Sequence, residues 1–233
     1  MPKDTGDGGG RRASDRGRYG RLNRERVLAT ALEVVDRDGL SALSMRKLGA
    51  ELGVEAMALY RYAPSKDALL DGLVEAFWQE LHQELNQAPG TTTDPAQWRR
   101  ELHRIALATH RVALRHPHVV PLLATRMLST PLARRPLPVL RGDERVLALL
   151  YDAGFGERTA VEIHRTFTAW LLGYLLVELR AMDDEPGEPD PAFRLGLHRM
   201  PAAELPRLRS TAVAMAGRGG PEGLAAGLDA LLG

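Results

Sequence analysis

The chain has 233 residues, an apolar fraction of 44%, and 31 basic against 30 acidic residues, so its formal net charge is only +1. That length allows one large or two small domains with a substantial core. Any nucleic-acid binding must come from a local basic patch, because the charge of the whole chain does not provide it. The absence of cysteine excludes a disulfide framework, a thiolate nucleophile and a cysteine-based zinc site.

Few aromatic residues and much leucine and alanine favour an all-α fold. The longest apolar stretch, residues 169–177, is far shorter than the roughly 20 residues of a membrane span. The N-terminal residues lack the apolar run of a secretory signal. We therefore expect a cytoplasmic protein without a membrane partner.

Residues 1–21 are rich in Gly, Arg and Asp and have almost nothing to bury, which predicts a disordered basic arm. Between Arg11 and Arg26 there are seven arginines and only two acidic residues. This composition fits a solvated tail, and it also fits an arm that settles on DNA phosphates or in a minor groove.

The first helix is predicted to begin after Asn23, a good N-cap, and to end at Gly39. Leu22 and Val27 have the spacing of a hydrophobic staple around that cap. The apolar positions of this helix form one broad inner face. We expect it to support the segment that follows.

The stretch Ser44–Tyr62 has the pattern of two short helices that cross at a tight turn. The first, Met45–Leu52, has Ser44 as N-cap and Gly53 as a left-handed C-terminal residue. Gly49 leaves room for a close crossing.

The second short helix is predicted at Glu55–Tyr62, because the residue before Pro64 is disfavoured in a helix. Leu59 and Tyr62 would face inward, and the remaining positions would present small, aromatic and cationic side chains outward. Such a surface fits a DNA major groove. A helical hairpin without any DNA role would show the same core positions, so periodicity alone leaves both interpretations open.

A long helix is predicted after Ser65, and a break follows at residues 87–93. Asp94, Pro95 and Gln97 then have the pattern of a helix start. The helix that they start is predicted to run through Trp98 and Val112 to a stop at His116-Pro117. Further helices are predicted at residues 119–127, 143–152, 155–182, 202–216 and 222–232, with a proline-broken stretch at 131–138 and an acidic loop at 183–191. The helix from Phe155 is apolar nearly all round between Phe167 and Val177, which indicates that a partner subunit covers part of it.

Three segments resemble the tetracycline-repressor (TetR) family of bacterial transcription regulators. They are NRERVLATALEVVDRDGLSALS, MRKLGAELGV and ALYRYAPSKDALLDGL, and the strong match extends over about Leu22 to Glu75. The last is similar to the family's recognition helix running into its fourth helix. The resemblance implies an all-α chain with a helix-turn-helix DNA-binding domain at 22–66, followed by a helical effector-binding and dimerisation domain at 67–233.

In the family, matching positions contact DNA; in this chain they are Ser44, Arg46, Ala56, Met57, Ala58, Tyr60, Arg61 and Lys66. The guanidinium fork of Arg46 fits the two acceptors of guanine, although a phosphate contact is nearly as consistent. Ala56, Met57 and Ala58 have no side-chain hydrogen-bonding capacity, so they can read only thymine methyls or DNA shape. Ser44 and Tyr60 are expected on phosphates, as is Lys66 at a helix N-terminus. Specificity is expected to come from Arg46, Arg61 and the apolar methyl contacts.

The resemblance also implies a small-molecule pocket among the middle helices. The positions that hold tetracycline and its magnesium in the namesake repressors correspond here to the apolar residues Ile105, Leu123, Ala169 and Val177. We therefore expect neither a metal-chelated drug nor any metal site or cofactor. The candidate ligand-binding residues are Phe77, Thr109, His110, His164, Thr168, Trp170 and Tyr174, and each of them fits a core or interface role equally well.

These observations predict a homodimeric transcription regulator, a repressor as in most of the family, that a small-molecule effector releases from a double-stranded DNA operator. Two-fold pairing would use the long late helix and the last helix. A helical ligand carrier or enzyme without DNA function is the alternative, but the sequence has no nucleophile motif, phosphate loop or metal signature, so we expect no enzyme. A non-specific DNA-coating protein that relies on the arginine arm is a third possibility.

Overall fold

The structure, a computed structural model, describes residues 22–87, 97–180 and 187–233. Within these ranges the regular elements are all helical, so the predicted all-α class is confirmed. The helices are α1 (Arg24–Asp38), α2 (Met45–Leu52), α3 (Ala56–Leu59), α4 (Lys66–Gln87), α5 (Trp98–Arg115), α6 (Val120–Ser129), α7 (Leu137–Asp152), α8 (Glu157–Glu178), α9 (Pro191–Arg194), α10 (Pro206–Ala216) and α11 (Gly220–Leu232). The predicted arm at 1–21, the Asp94-Pro95 helix start and most of the predicted 183–191 loop lie outside the described residues.

The chain divides into two compact units between Leu69 and Leu70. The first unit contains α1, α2, α3 and the first turn of α4. Its core is formed by fully buried aliphatic side chains, among them Val27, Val35, Leu48 and Leu59. α2 packs against both α1 and α3.

The predicted helix caps of the first unit are confirmed. Asn23 Oδ1 accepts a hydrogen bond from the amide of Arg26 at 2.8 Å, and Ser44 Oγ accepts from the amide of Lys47 at 3.2 Å. Gly53 ends α2 in the left-handed conformation, with φ of 67°. Ser65 Oγ accepts from the amide of Ala68 at 3.0 Å. The side chains of Asn23, Ser44 and Ser65 thus each accept a hydrogen bond from a backbone N–H that has no partner within the first turn of its helix.

The second helix of the pair is shorter than its predicted span of Glu55–Tyr62. Regular α-helix covers only Ala56–Leu59, and the chain then continues in tight turns up to Ala63. The amides of Tyr62 and Ala63 both donate to the carbonyl of Leu59, at 2.8 and 3.0 Å. Because Pro64 has no amide and disfavours a helical residue before it, regular α-helix does not extend further.

The helix bounds in the second unit differ from the predicted ones in several places: the short helix α9 was not predicted, and α10 begins at Pro206, four residues after its expected start. α7 begins at Leu137, six residues before the expected start, because Pro138 falls in its first turn, where a proline removes no helical hydrogen bond. α8 is shorter than predicted: Gly156 takes an extended conformation at its N-cap, and the helix ends at Glu178. Phe155 lies before the helix and packs edge-on against Trp98, with ring centroids 5.1 Å apart.

The core of the second unit lies between α4, α5, α7, α8 and α11. Its fully buried side chains include Phe77, Leu102, Leu150, Leu175 and Leu224. α11 packs along α5, and α8 packs against α6 and α7. This arrangement brings the apolar faces of four long helices around a single region, where the cavity described below is found.

Candidate DNA-binding surface and effector cavity

The turn between α2 and α3 is held by a close backbone approach. The amide of Val54 donates to the carbonyl of Gly49 at 2.9 Å. A Cβ at position 49 would lie 2.8 Å from the oxygen of Val54, which is closer than real Cβ contacts. Glycine is therefore required where the two helices meet, as the sequence predicts, and Leu48 and Leu59 fill the interior beneath them.

The side chains on the outer surface of α2 and α3 are those expected to contact DNA. Seven of the eight positions are exposed and Ala56 is half-buried. Met57 is 77% exposed and Tyr60 is 43% exposed. Met57 therefore contributes little to the described core of this unit.

Arg37 and Lys47 form ion pairs with acidic neighbours, whereas Arg46 does not. Lys47 Nζ lies 2.8 Å from Asp38 Oδ2, and Arg37 Nη2 lies 2.9 Å from the same oxygen and 2.5 Å from Glu51 Oε1. Hydrogen bonds from Arg37 and then from Lys47 lower the pKa of the Asp38 carboxyl to about 2. Arg46 forms no hydrogen bond or ion pair with any described residue, so its guanidinium is available to a ligand.

Arg61 is placed differently from Arg46. Its Nη2 donates to the hydroxyl of Tyr62 at 2.9 Å, and its guanidinium lies over the Tyr62 ring at 5.1 Å from the centroid. The Tyr62 hydroxyl in turn donates to the carbonyl of Leu22 at 2.8 Å. Arg61 must therefore leave this contact before it can reach a base edge.

Lys66 is the first residue of α4, and its side chain is exposed. Backbone N–H groups at a helix start, together with the helix dipole, attract a phosphate. The Ser65 hydroxyl already accepts from one of these amides, that of Ala68. The ammonium group of Lys66 adds a positive charge at the same helix start.

A cavity of about 50 Å³ lies within the second unit. Its lining comes from α4, α5, α6, α7 and α8 and is mainly apolar. The lining residues are Phe77, Trp78, Leu81, His82, Leu85, Ile105, Thr109, Leu123, Gly142, Asp143, Arg145, Val146, His164, Phe167, Thr168, Leu171 and Leu172.

Four of the seven candidate ligand-binding residues belong to this lining: Phe77, Thr109, His164 and Thr168. Ile105 and Leu123, which resemblance places where the namesake repressors have polar drug ligands, are also in the lining. Ala169 and Val177 are instead exposed on α8. Of these four positions, the two that line the cavity therefore have apolar side chains in place of polar drug ligands.

The other three candidates, His110, Trp170 and Tyr174, lie outside this lining because they are packed toward α11. Tyr174 donates its hydroxyl hydrogen to the carbonyl of Gly220 at 3.0 Å. A Cβ at Gly227 would lie 3.1 Å from the Trp170 ring. Trp170 and Tyr174 thus pack α8 against the last helix.

Glu178 at the end of α8 completes that attachment. Its carboxylate accepts from the amides of Gly219 and Gly220 at 2.9 and 3.0 Å, which caps the start of α11. His110 is only 2% exposed, and its Nε2 lies 3.7 Å from Glu178 Oε1. Burial, and then the charge of Glu178, raise the pKa of the Tyr174 hydroxyl.

Of the polar groups that line the cavity, the sequence predicts His164 on α8 but not Asp143 and Arg145 on α7 or His82 and Trp78 on α4. His164 Nε2 lies 3.1 Å from Asp143 Oδ1, and Asp143 Oδ2 lies 3.7 Å from Arg135 Nη1. His82 Nε2 lies 2.7 Å from the carbonyl of Pro138. Trp78 and His82 are four residues apart on α4, and that spacing was the available sequence signal. The part of the chain that the structure describes contains no group of three or more His, Cys, Asp or Glu side chains positioned for a metal ion.

A helix-turn-helix unit with an exposed second helix is an architecture typical of DNA-binding modules, and an apolar cavity within a helical body has the character of a small-molecule site. Two family models match this chain. Residues 27–73 match "Bacterial regulatory proteins, tetR family", and residues 91–232 match "Tetracyclin repressor-like, C-terminal domain". The chain belongs to the TetR family.

Individual relatives agree with this assignment. The chain is 31% identical over 157 residues to an HTH-type transcriptional regulator from Saccharopolyspora erythraea, covering 67% of this chain and 61% of that protein. It is 29% identical over 202 residues to the tetracycline repressor protein class C of Escherichia coli, covering 87% and 84% of the two chains. A crystal structure of a possible TetR family regulator from Streptomyces coelicolor A3(2) is similar with a TM-score of 0.69 at 27% identity, covering 90% and 98%.

Within the described ranges, each helix is too short or too polar to cross a lipid bilayer.

Proposed function

We propose that this protein is a sequence-specific, operator-binding transcription regulator, a repressor in its default action, that works as a cytoplasmic homodimer and leaves DNA when a small molecule binds its second unit. The observation that carries the proposal is the helix-turn-helix of α2 and α3 with Arg46 exposed and unpaired. An exposed arginine without an acidic partner retains its full fork of donors for guanine or phosphate.

The proposed DNA contacts fall into two classes. Arg46 reads a base edge, and the outward residues of α3, Ala56, Met57 and Ala58, read thymine methyls and groove shape. Ser44, Tyr60, Arg61 and Lys66 contact phosphates and set the register, since Arg61 is engaged by Tyr62 and is less available to a base.

Homodimer formation is supported by apolar side chains that a single chain leaves uncovered. On α8, Val177 is 58% exposed and Leu176 is 36% exposed. On α10, Leu208, Val213 and Met215 are exposed as well. Exposed apolar side chains on these two helices are of the kind that a partner subunit would cover. Pairing through α8 and α11, as the family does, would set two reading helices about one DNA turn, roughly 34 to 36 Å, apart.

Effector binding is assigned to the cavity of the second unit. A mainly apolar cavity with a few converging polar groups has the character of a small-molecule site. Helix α4 supplies Phe77, Trp78, Leu81, His82 and Leu85 to its wall and begins at Lys66 in the DNA-binding unit. One continuous helix therefore connects the proposed ligand site to a proposed phosphate contact.

Selection of binding sites from random duplex DNA tests the proposal, followed by affinity measurements against salt concentration on selected and random duplexes. We expect one enriched two-fold symmetric sequence whose affinity exceeds that of random DNA by at least about 10³-fold. Equal affinity for all sequences would favour the non-specific coating protein instead. Failure to bind DNA at any salt concentration would leave a helical ligand-binding protein.

A further inference from the structure

The indole of Trp78 lies on the cavity wall in an unusual state. Its Nε1 is buried and has no hydrogen-bond partner. An indole nitrogen can only donate, and a buried Trp N–H normally has an acceptor. Leaving such a donor unpaired costs about 1–3 kcal/mol, so an acceptor supplied by a ligand would be favoured at this position.

The ring of Trp78 also lies directly against the backbone of Gly142 on α7. An ideal Cβ at Gly142 on α7 would lie 2.1 Å from Trp78 Cζ3 and 2.8 Å from Cε3 and Cη2. The six-membered ring of Trp78 therefore occupies the space that any other residue at position 142 would fill. Because the ring rests on a backbone without a side chain, no interlocking side chain at this position holds it in place.

The charged side chains of the wall are already paired with protein groups. Asp143 is within 3.1 Å of His164 and 3.7 Å of Arg135, and Arg145 Nη2 lies 3.5 Å from Glu101 Oε1. An ionic ligand would have to break one of these contacts and lose its own hydration. An uncharged ligand has neither penalty, and the apolar remainder of the lining favours it.

The cavity volume of about 50 Å³ holds roughly three to five water-sized probes at about 10–15 Å³ each. An organic ligand of even two fused rings must therefore displace part of the wall. The Trp78 ring is a candidate for that part, because it can leave the Gly142 backbone without displacing a side chain at position 142.

From these observations we propose that the effector is an uncharged, mainly apolar molecule with a carbonyl-type acceptor, that this acceptor takes the hydrogen bond of Trp78 Nε1, and that Trp78 moves away from Gly142 to admit it. The inference rests on the proposed effector role of the cavity. Trp78 then determines specificity, because only a ligand with an acceptor satisfies the buried N–H.

Two probes that differ at one atom position test this: 1-indanone, which has a ketone, and indane, which has a methylene in its place. Both are titrated into the full-length, ¹⁵N-labelled protein up to their solubility limits. The chain has three tryptophans, so three indole N–H signals are expected, and the signal lost in Trp78→Phe belongs to Trp78. If that variant does not fold, Trp98→Phe and Trp170→Phe assign the Trp78 signal by elimination.

We expect 1-indanone to bind about 3- to 10-fold more tightly than indane, the range of one net hydrogen bond, and to move the Trp78 indole signal downfield. Trp78→Phe should bind both compounds equally. Gly142→Ala should shift the Trp78 signal in the ligand-free protein and reduce the preference for the ketone. Equal binding of the two probes to the unmodified protein, an unmoved Trp78 signal, or no saturable binding of either probe would overturn the inference.

The proposed function is judged separately, by operator binding without any probe. Specific DNA binding together with equal affinity for the two probes would refute only the ligand class. Ketone preference in a protein that binds no DNA would refute only the regulator.

Discussion

The carboxylate of Glu178 allows a sharp stability prediction. It accepts two backbone hydrogen bonds, at 2.9 and 3.0 Å, from the residues that start α11, and only 9% of the residue is exposed. A hydrogen bond to a charged group contributes about 1.5–3 kcal/mol, whereas loss of a helix cap costs about 0.5–2 kcal/mol. The two bonds share one acceptor group and do not add fully, and removal also relieves the burial of a charge.

We therefore expect Glu178→Ala to lower the free energy of unfolding by about 2–4 kcal/mol. Glu178→Gln keeps one acceptor oxygen for one of the two amides, so its loss should be about half as large. Urea unfolding, followed by the helical circular-dichroism signal at one fixed protein concentration, measures both variants.

The matched control lies on the same helix. Glu162 is a well-exposed glutamate whose one ion pair with a described residue is that with Arg158, one turn earlier, at 3.3 Å. An exposed pair of this kind contributes about 0.5 kcal/mol or less, so Glu162→Ala should be nearly neutral. If Glu178→Ala and Glu162→Ala lower stability equally, Glu178 does not hold α11 in the way described.

Four further predictions concern DNA binding, assembly and pH. Arg46→Ala should relax specificity at one base pair by about 1–3 kcal/mol in competition binding, and Arg46→Lys should not restore it; uniform weakening on every duplex would make Arg46 a phosphate contact. Lys66→Ala should weaken all duplexes alike and reduce the salt slope by about one, and an unchanged slope would remove it from the phosphate contacts. Val177→Glu should give a monomer in analytical ultracentrifugation, because it places a charge in the proposed interface; a persisting dimer would move the interface elsewhere. Burial raises the pKa of the Glu84 carboxyl, but hydrogen bonds from Arg115 and Arg111 outweigh burial, so the net pKa is below the ordinary value of 4.5. The stability that these ion pairs contribute is therefore present above about pH 4.5 and is lost as pH falls through the folded-state pKa. Glu84→Gln should flatten the dependence of the urea midpoint on pH in that acidic range, and an unchanged profile would contradict the ion pairs.

Local interactions explain which parts of the fold could be predicted from sequence. The caps at Asn23, Ser44 and Ser65 depend on a side chain and an amide three residues away, so the pattern contains all the information needed. The close turn at Gly49 was predictable for the same reason, since its contact is with Val54 five residues later.

Boundaries that depend on proline were harder to predict. A proline can end one helix or lie in the first turn of the next. The sequence pattern predicts a broken stretch at Pro136 and Pro138, whereas in the structure both prolines lie at the start of α7. Short-range patterns contain no information that separates these two outcomes.

The cavity was predictable only in part because its wall comes from five helices. Phe77 and Thr109 lie on obvious inner faces, and both are in the lining. Trp78, Asp143 and the space at Gly142 come together through tertiary packing of α4 on α7, which the sequence pattern does not contain. His110 and Tyr174 are equally inward-facing, yet they pack toward α11, and periodicity cannot tell which neighbour an inner face meets.

The central claim is that α2 and α3 read a DNA sequence. The most direct measurement is the ratio of two affinities at one salt concentration: that for the best selected operator and that for the same duplex with both half-sites scrambled. We expect a ratio of about 10³ or more for the unmodified protein and a markedly smaller ratio for Arg46→Ala. A ratio near one, with DNA binding retained, would contradict sequence-specific reading by this unit.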